Sequence, residues 1–200
     1  MNILTDKLPN CANIGGKLYP INTDYRIGIF FEQLIFNDEL SPEEKFNKAK
    51  ILYFGDDLPP SELDEETTDK ILWFYNCGND EKKKAGTSQE HIKRVYDFEY
   101  DSKWIFAAFR EQYQIQLDSD MEMHWWKFRA LFDSLSENTE FVKIMGYRAV
   151  KITDKMSTSQ KRFYQKMKRL HKLPISKAEE KRINDVEDAL INGKSLKNIL

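Results

Sequence analysis

The sequence predicts a mainly α-helical globular domain with a small N-terminal β-hairpin. Apolar residues recur at helical spacing through most of the chain, capping residues precede several of these stretches, and glycine and proline are few, with 8 and 6 in 200 residues. A hydrophobic share of 40% and an aromatic share of 13% supply one core. We expect a helical domain over residues 1–173 and a helical extension over residues 174–200.

The first elements are a hairpin and an amphipathic helix. Residues 9–22 predict the hairpin, because Gly15 and Gly16 supply the positive φ angles of a tight turn and short apolar segments flank them. Asp24 suits the N-cap of the first helix. Its inward stripe is expected to comprise Ile27, Phe30, Phe31, Leu34 and Ile35.

A second helix begins at a capping box. Ser41 and Glu44 have the required spacing, and Pro42 occupies the first helical position. The helix is expected to end at Gly55 and to bury Phe46, Ala49 and Tyr53.

A third helix follows an acidic run at residues 64–66. Its last residues, 71–75, are apolar on every side, so we expect them at the centre of the core. Residues 76–90 are rich in polar residues and lysine, which is typical of an exposed loop.

Three further helices carry most of the remaining aromatic residues. The fourth is expected over residues 101–114, with Ala107 and Ala108 allowing close approach of a neighbour. The fifth is expected over residues 121–135, where two apolar stripes predict burial on more than one side. The sixth begins near Thr139. Their inward residues are Ile105, Phe106, Phe109, Tyr113, Met123, Trp125, Trp126, Phe128, Ala130, Phe132, Leu135, Phe141, Ile144 and Met145.

The C-terminal quarter has a different character. Residues 157–172 predict a basic amphipathic helix with Phe163, Met167 and Leu170 on one face, ended by Leu173-Pro174. A capping box at residues 176–179 begins a last helix, which stops at Gly193.

The chain contains no motif of a known catalytic, phosphate-binding or metal site. His124 stands near Asp118, Asp120 and Glu122, so a carboxylate–histidine site is conceivable, although the spacing matches no calcium loop. Alternatively, Asp118 and Asp120 favour the N-terminus of the next helix. The sequence thus indicates no enzyme, no cofactor and no metal.

A second acidic run, at Asp97, Glu99 and Asp101, is interpreted in the same way, as charges that favour the start of a helix. The Trp125-Trp126 pair could stack on nucleic-acid bases. Its surroundings are acidic, however, so packing in the core is the favoured interpretation.

Charge is distributed unevenly along the chain. Residues 1–150 hold 18 Lys and Arg against 27 Asp and Glu, whereas residues 151–200 hold 13 against 6. The basic helix is therefore the candidate site for an acidic partner surface, through Lys161, Arg162, Lys166, Lys168 and Arg169. It could also bind nucleic acid or a membrane surface, or be a surface helix docked by its apolar side. We consider nucleic acid an unlikely partner and expect no membrane.

Other features suggest that the protein stays in the cytoplasm where it is made. The N-terminus has no signal-peptide pattern, and no apolar run reaches the about 18 residues of a membrane span. Cys11 and Cys77 are isolated thiols and form neither a disulfide framework nor a zinc motif.

Several segments in series resemble the family named after gene product fifteen of a Listeria siphophage, which is found in phages and prophages of Gram-positive bacteria. The resemblance spans about residues 1–173. The segments that carry it are INTDYR (21–26), DFEYD (97–101), IFAAF (105–109), HWWKFRAL (124–131), IMGYR (144–148) and FYQKMKRL (163–170).

The resemblance implies a role in phage tail assembly. Genes of this family lie in the tail module beside the tape measure gene, a position shared with tail assembly chaperones. The implied partners are the tape measure protein, the tail tube protein and a neighbouring smaller tail assembly protein. The protein would act in the bacterial host cytoplasm and be absent from the mature virion. The family provides no binding motif whose residues could be transferred to this chain.

Two other functions stay open from the sequence. The chain could be a structural tail or connector component of the virion, or a nucleic-acid-binding regulator that uses its basic quarter. The charges are also compatible with head-to-tail self-association, or with a basic C-terminal part that folds back on the acidic body of its own chain.

Overall fold

The computed structural model describes residues 2–79, 94–118 and 121–174, and these residues form a mainly α-helical fold with one small hairpin, as predicted. A short 3-10 helix, Ser61–Leu63, precedes the third helix. The strands are β1 (Cys11–Ile14) and β2 (Lys17–Pro20), and the helices are α1 (Tyr25–Ile35), α2 (Pro42–Phe54), α3 (Asp64–Tyr75), α4 (Ser102–Tyr113), α5 (Trp125–Asp133), α6 (Glu140–Ala149) and α7 (Thr158–Leu170).

The hairpin is the predicted one and lies against α3. The antiparallel strands are joined by Gly15 and Gly16, whose φ angles of +58° and +79° suit glycine in a two-residue turn. The amide N–H of Gly15 donates to the carboxylate of Glu66 at 3.0 Å. Ile14 is fully buried, so the hairpin contributes to the core.

Side-chain hydrogen bonds cap the starts of α1, α2, α6 and α7. Asp24 and Ser41 accept hydrogen bonds from backbone N–H groups of the first turn, as predicted. Thr139 does the same for α6, whose start was expected near it. Ser41 also completes its capping box with Glu44. A second capping box, between Ser157 and Gln160, begins α7.

Helix α5 begins at Trp125, four residues later than predicted, because the chain before it is extended. The N–H of Tyr25 donates to the carbonyl of Met123 at 2.9 Å, and the N–H of Trp125 donates to the carbonyl of Thr23 at 2.7 Å. These bonds hold residues 123–125 beside the start of α1. The N-cap is His124, six residues after Asp118, so the capping role expected of Asp118 is wrong. Asp120 lies outside the described residues.

The tryptophan pair lies in the core, which confirms the favoured interpretation. The side chains of Trp125 and Trp126 are 1% and 4% exposed. Their indole N–H groups donate to the carbonyls of Tyr75 and Phe74 at 2.8 and 2.7 Å, at the C-terminal end of α3. The face of Trp125 lies against Gly28, where a Cβ atom would come within 2.2 Å of the ring.

Helix α1 buries a different face from the predicted stripe. Phe30 and Ile35 are exposed, so this part of the prediction is wrong. Glu32 lies inward instead, and its carboxylate accepts hydrogen bonds from the hydroxyls of Tyr75 and Tyr96 at 2.6 and 3.1 Å. Burial, then the charge of Glu32, raises the pKa of both tyrosines, which keeps them protonated as donors.

The end of α3 is only partly central to the core. Ile71 and Phe74 are buried, but Leu72 is 41% exposed, so the prediction of burial on every side is wrong for this residue. In α4, Ala108 is buried whereas Ala107 is exposed. The close packing against a neighbouring element that was expected at both alanines is therefore possible only at Ala108.

A buried ion pair joins three segments of the fold. Asp101, in the second acidic run, is fully buried, and its carboxylate accepts two hydrogen bonds from the guanidinium of Arg148. Arg148 also donates to the carbonyl of His171. Asp101 is thus more than the helix-start charge that the sequence predicted.

Some predictions concern residues outside the described part of the chain. The proposed loop over residues 76–90 is described only to residue 79, and the C-terminal extension only to residue 174. The predicted capping box at residues 176–179 and the predicted last helix lie wholly outside the described residues.

Candidate functional site

The basic helix α7 lies on the surface and packs on α6 through Phe163 and through His171, the residue that follows its last turn. Phe163 makes an edge contact with the ring of Tyr147, and His171 stacks on the same ring. Phe163 and Leu170 are nevertheless 46% and 64% exposed. The apolar face of α7 is therefore only partly buried against α6, and the alternative that the whole apolar face is docked is wrong.

The five basic residues proposed as a site do not form one cluster. Lys161 pairs with Asp154 at 3.2 Å, and Lys168 donates to the carbonyl of Arg148 at 2.9 Å. Arg162, Lys166 and Arg169 are exposed. Only Lys168 and Arg169 line a common pocket.

We call this pocket the cationic pocket, and its volume is about 540 Å³. It lies where α7 meets α6 and the segment that precedes α4. Of the seven described residues that line it, five are cationic and none is acidic. The lining residues are Arg94, Arg148, Lys168, Arg169, Lys172, Leu173 and Pro174.

Two of the five cations have carboxylate partners. Arg148 is neutralised by Asp101, and Arg94 forms an ion pair with Asp97 at 2.9 Å. Within residues 2–79, 94–118 and 121–174, no hydrogen bond or ion pair involves the side chain of Arg169 or Lys172. The described lining of the pocket therefore carries a surplus of positive charge.

An apolar groove runs between α1 and α2, and we call it the α1–α2 groove. Its volume is about 690 Å³. Phe30, Phe36 and Ile51 are among its lining residues and are 50%, 49% and 59% exposed. Lys48, Arg94, Asp97 and Glu99 supply its charged lining. Large apolar side chains grouped at one surface in this way are typical of an interaction site.

Arg94 belongs to both sites. Its guanidinium lies 4.4 Å from the ring centroid of Phe36 in the α1–α2 groove, a cation–π contact. The same residue lines the cationic pocket. The groove and the pocket are therefore neighbours that share one side chain.

A smaller apolar depression of about 140 Å³ lies on the other side of the end of α1. Leu34 lines both depressions, and the exposed residues Ile35 and Leu72 line the smaller one. Lys45 donates to the carbonyl of Ile35 at 2.6 Å and holds this end of α1 beside α2.

The conceivable carboxylate–histidine site is occupied by structural contacts. The Nδ1 atom of His124 accepts from the N–H of Trp126 at 3.1 Å, so this nitrogen is unprotonated. Its Nε2 atom then carries the proton and donates to the carbonyl of Pro9 at 3.0 Å. In the part of the chain that the structure describes, no group of three or more His, Cys, Asp or Glu side chains is placed to hold a metal ion.

The α1–α2 groove was missed by the sequence interpretation. Phe36 follows the last residue of α1, and Ile51 lies on the outer side of α2, so neither belongs to an inward stripe. Their apolar character at exposed positions was the available signal. No local sequence pattern indicated a role for Arg94, because the other residues of the α1–α2 groove and of the cationic pocket are mostly distant from it in sequence.

The described fold and surface define a mainly helical protein with an apolar groove beside a cationic pocket. Residues 4–173 match the family described as bacteriophage Gp15 protein, and the chain belongs to this family. No curated protein and no solved structure matches the chain. Membership in the family indicates a phage structural or assembly-related protein. None of the helices in the described ranges is long and apolar enough to cross a membrane.

Proposed function

We propose that this protein is a phage tail assembly chaperone that binds the tape measure protein and assists tail tube assembly without catalysis. It acts in the bacterial host cytoplasm, with the tail tube protein and the neighbouring smaller tail assembly protein as further partners, and is absent from the mature virion. Membership in the Gp15 family supports a phage assembly role. The observation that carries the binding role is the α1–α2 groove.

The groove suits a helical client. An amphipathic helix binds by placing apolar side chains at i, i+3 or i+4, and i+7 into an apolar groove. A volume of about 690 Å³ accommodates a few such side chains, and Phe30, Phe36 and Ile51 present apolar surface to them. Charged side chains in the lining keep the free surface hydrated, which a chaperone needs before its client arrives.

The proposal is tested by removing apolar surface from the groove without adding charge. In the double variant Phe30→Gln/Ile51→Gln, glutamine keeps helix propensity at both positions. Burying the exposed half of two large apolar side chains contributes about 2 kcal/mol, so binding of the tape measure protein should weaken about 30-fold. Both residues are half exposed, so the thermal midpoint should change little.

Leu58→Gln is the matched control. Leu58 is 46% exposed and lies outside the lining of the groove, so its replacement should leave binding unchanged. Equal binding by the double variant and the wild-type protein would show that the groove is not the client site.

The family description also covers a structural role, which is the second candidate function. A tail or connector component would be present in purified virions at a fixed number of copies per particle. Mass spectrometry of purified particles distinguishes the two roles, because the chaperone should be absent from them.

A further inference from the structure

We propose that the client segment is acidic at one end, with its apolar face bound in the α1–α2 groove and its carboxylates bound in the cationic pocket. This inference rests on the proposed chaperone function and specifies the chemistry of the client. It is carried by the juxtaposition of the two sites at Arg94 and by the surplus positive charge of the pocket.

The charge of the pocket selects the ligand class. Asp101 and Asp97 pair with two of the lining cations, and neither Arg169 nor Lys172 forms an ion pair with a carboxylate of the described residues. Arg169 and Lys172 come from the end of α7 and the residues that follow it. Guanidinium and ammonium groups bind carboxylates through charge-assisted hydrogen bonds. Aspartate or glutamate side chains of a client are therefore the matching groups.

The arrangement around Arg94 favours binding of an additional acceptor. The Nε atom of Arg94 is buried and, among the described residues, has no hydrogen-bond acceptor. A buried donor without an acceptor is unfavourable. A client carboxylate near Arg94 would supply an acceptor once the guanidinium turns toward it, while the stem of Arg94 keeps its place over Phe36.

A protein segment fits this site better than nucleic acid. Leu173 and Pro174 give the pocket apolar lining, and Arg94 connects it to an apolar groove. A segment with both apolar and acidic side chains uses both parts. A long polyanion would also lie near the acidic body, because residues 1–150 hold nine more acidic than basic residues.

The test is charge reversal within the pocket, compared with the same charge reversal elsewhere on α7. The test variant is Arg169→Glu/Lys172→Glu, and the control is Arg162→Glu/Lys166→Glu, which changes the net charge equally at exposed residues outside the pocket. The probes are overlapping fragments of the tape measure protein of the same phage, fused to a soluble carrier. Binding is measured at about 50 mM and 300 mM salt.

The pocket variant should bind the client fragment at least about tenfold more weakly than wild type at low salt, whereas the control should stay within about threefold. Replacing Asp and Glu of the bound fragment by Asn and Gln should weaken wild-type binding and leave the pocket variant unaffected. High salt should reduce the difference between the two proteins, because it screens charge.

The outcomes separate this inference from the proposed function. Loss of binding in Phe30→Gln/Ile51→Gln with full binding in the pocket variant would overturn the acidic client and leave the chaperone role intact. Full client binding in Phe30→Gln/Ile51→Gln and in the pocket variant would overturn both the acidic client and the proposed binding role of the groove. Equal loss in the pocket variant and its control would assign binding to the exposed face of α7. Loss of duplex DNA binding in the pocket variant, with client binding unchanged, would identify the pocket as a nucleic-acid site.

Discussion

Arg148 binds Asp101 through two hydrogen bonds of 2.6 and 2.8 Å, between residues 47 positions apart in the chain. The side chains are 6% and 0% exposed. Arg148 also donates to the carbonyls of Val95 and His171 at 3.0 and 2.5 Å. This one guanidinium therefore joins α6 to the start of α4 and to the end of α7, and it positions the wall of the cationic pocket.

Loss of one member of this pair should strongly destabilise the fold. Arg148→Met removes the charge and leaves Asp101 buried without its partner, so we expect a loss of about 3–5 kcal/mol in the free energy of unfolding. The double variant Arg148→Met/Asp101→Leu should recover much of this loss, because no unpaired charge is left. Urea denaturation measures both.

The exposed pair of Lys161 and Asp154 is the control for this experiment. Lys161→Met should change the stability by less than about 1 kcal/mol, because exposed ion pairs contribute little. A stability of Arg148→Met equal to wild type would contradict the role assigned to the buried pair.

Two helical glycines should respond in opposite ways to alanine. At Gly28 a Cβ atom would lie 2.2 Å from the ring of Trp125, so Gly28→Ala should cost at least about 1–3 kcal/mol. At Gly146 no atom of the described residues, apart from the surrounding backbone of α6, lies within 4 Å of the added Cβ, so Gly146→Ala should stabilise α6 by about 0.5–1 kcal/mol. Thermal unfolding distinguishes them, and similar midpoints for the two variants would show that α1 does not pack this closely on Trp125.

Stability should depend on the protonation of His124. Burial lowers its pKa below the ordinary value, despite the hydrogen bond to Pro9, so folding disfavours the charged ring. The unfolded chain then binds more protons than the folded protein as the pH falls through about 6.5, and stability is lost in that range. Protonation of Nδ1 also removes the acceptor that caps α5.

His124→Asn is the variant that isolates this effect. Asparagine is a good N-cap and does not titrate. We expect the wild-type protein to lose more stability than His124→Asn between pH 7.5 and pH 5.5, as measured by urea denaturation at each pH. Parallel losses in the two proteins would exclude His124 as the source.

Cys77 should react slowly with alkylating reagents. Burial raises the pKa of its thiol to about 11, with the nearby charge of Arg129 opposing this rise. Only the thiolate reacts, so modification of the Cys11→Ser variant by iodoacetamide should accelerate about tenfold per pH unit between pH 8 and pH 10. In the urea-unfolded variant, the rate of modification should instead reach half of its maximum at about pH 8.5. The same low midpoint in the folded protein would contradict the burial of this thiol.

Much of the fold could be predicted because its signals are local. The capping box of Ser41 and Glu44, the turn at Gly15 and Gly16, and the cap at Thr139 each involve residues a few positions apart. Helix periodicity identified both ends of α4 and the start of α6 to within one residue. The burial of the tryptophan pair followed from apolar stripes on two sides of one helix.

The remaining features depend on contacts between distant segments. The start of α5 is set by hydrogen bonds to residues 23–25, and an isolated helical pattern does not show them. The burial of Glu32 could not be predicted for a related reason, because the two tyrosine hydroxyls that make it possible come from segments distant in sequence. The α1–α2 groove likewise exists only once α1, α2 and the segment around Arg94 are placed together.

The most direct test of the chaperone function is co-expression of this protein with the tape measure protein of the same phage, followed by fractionation and pull-down. If the protein is a tail assembly chaperone, the tape measure protein should be soluble only in its presence and should co-purify with it. Phe30→Gln/Ile51→Gln should reduce both effects, whereas Leu58→Gln should preserve them. A tape measure protein that is equally insoluble with and without this chain, and that never co-purifies with it, would contradict the chaperone function.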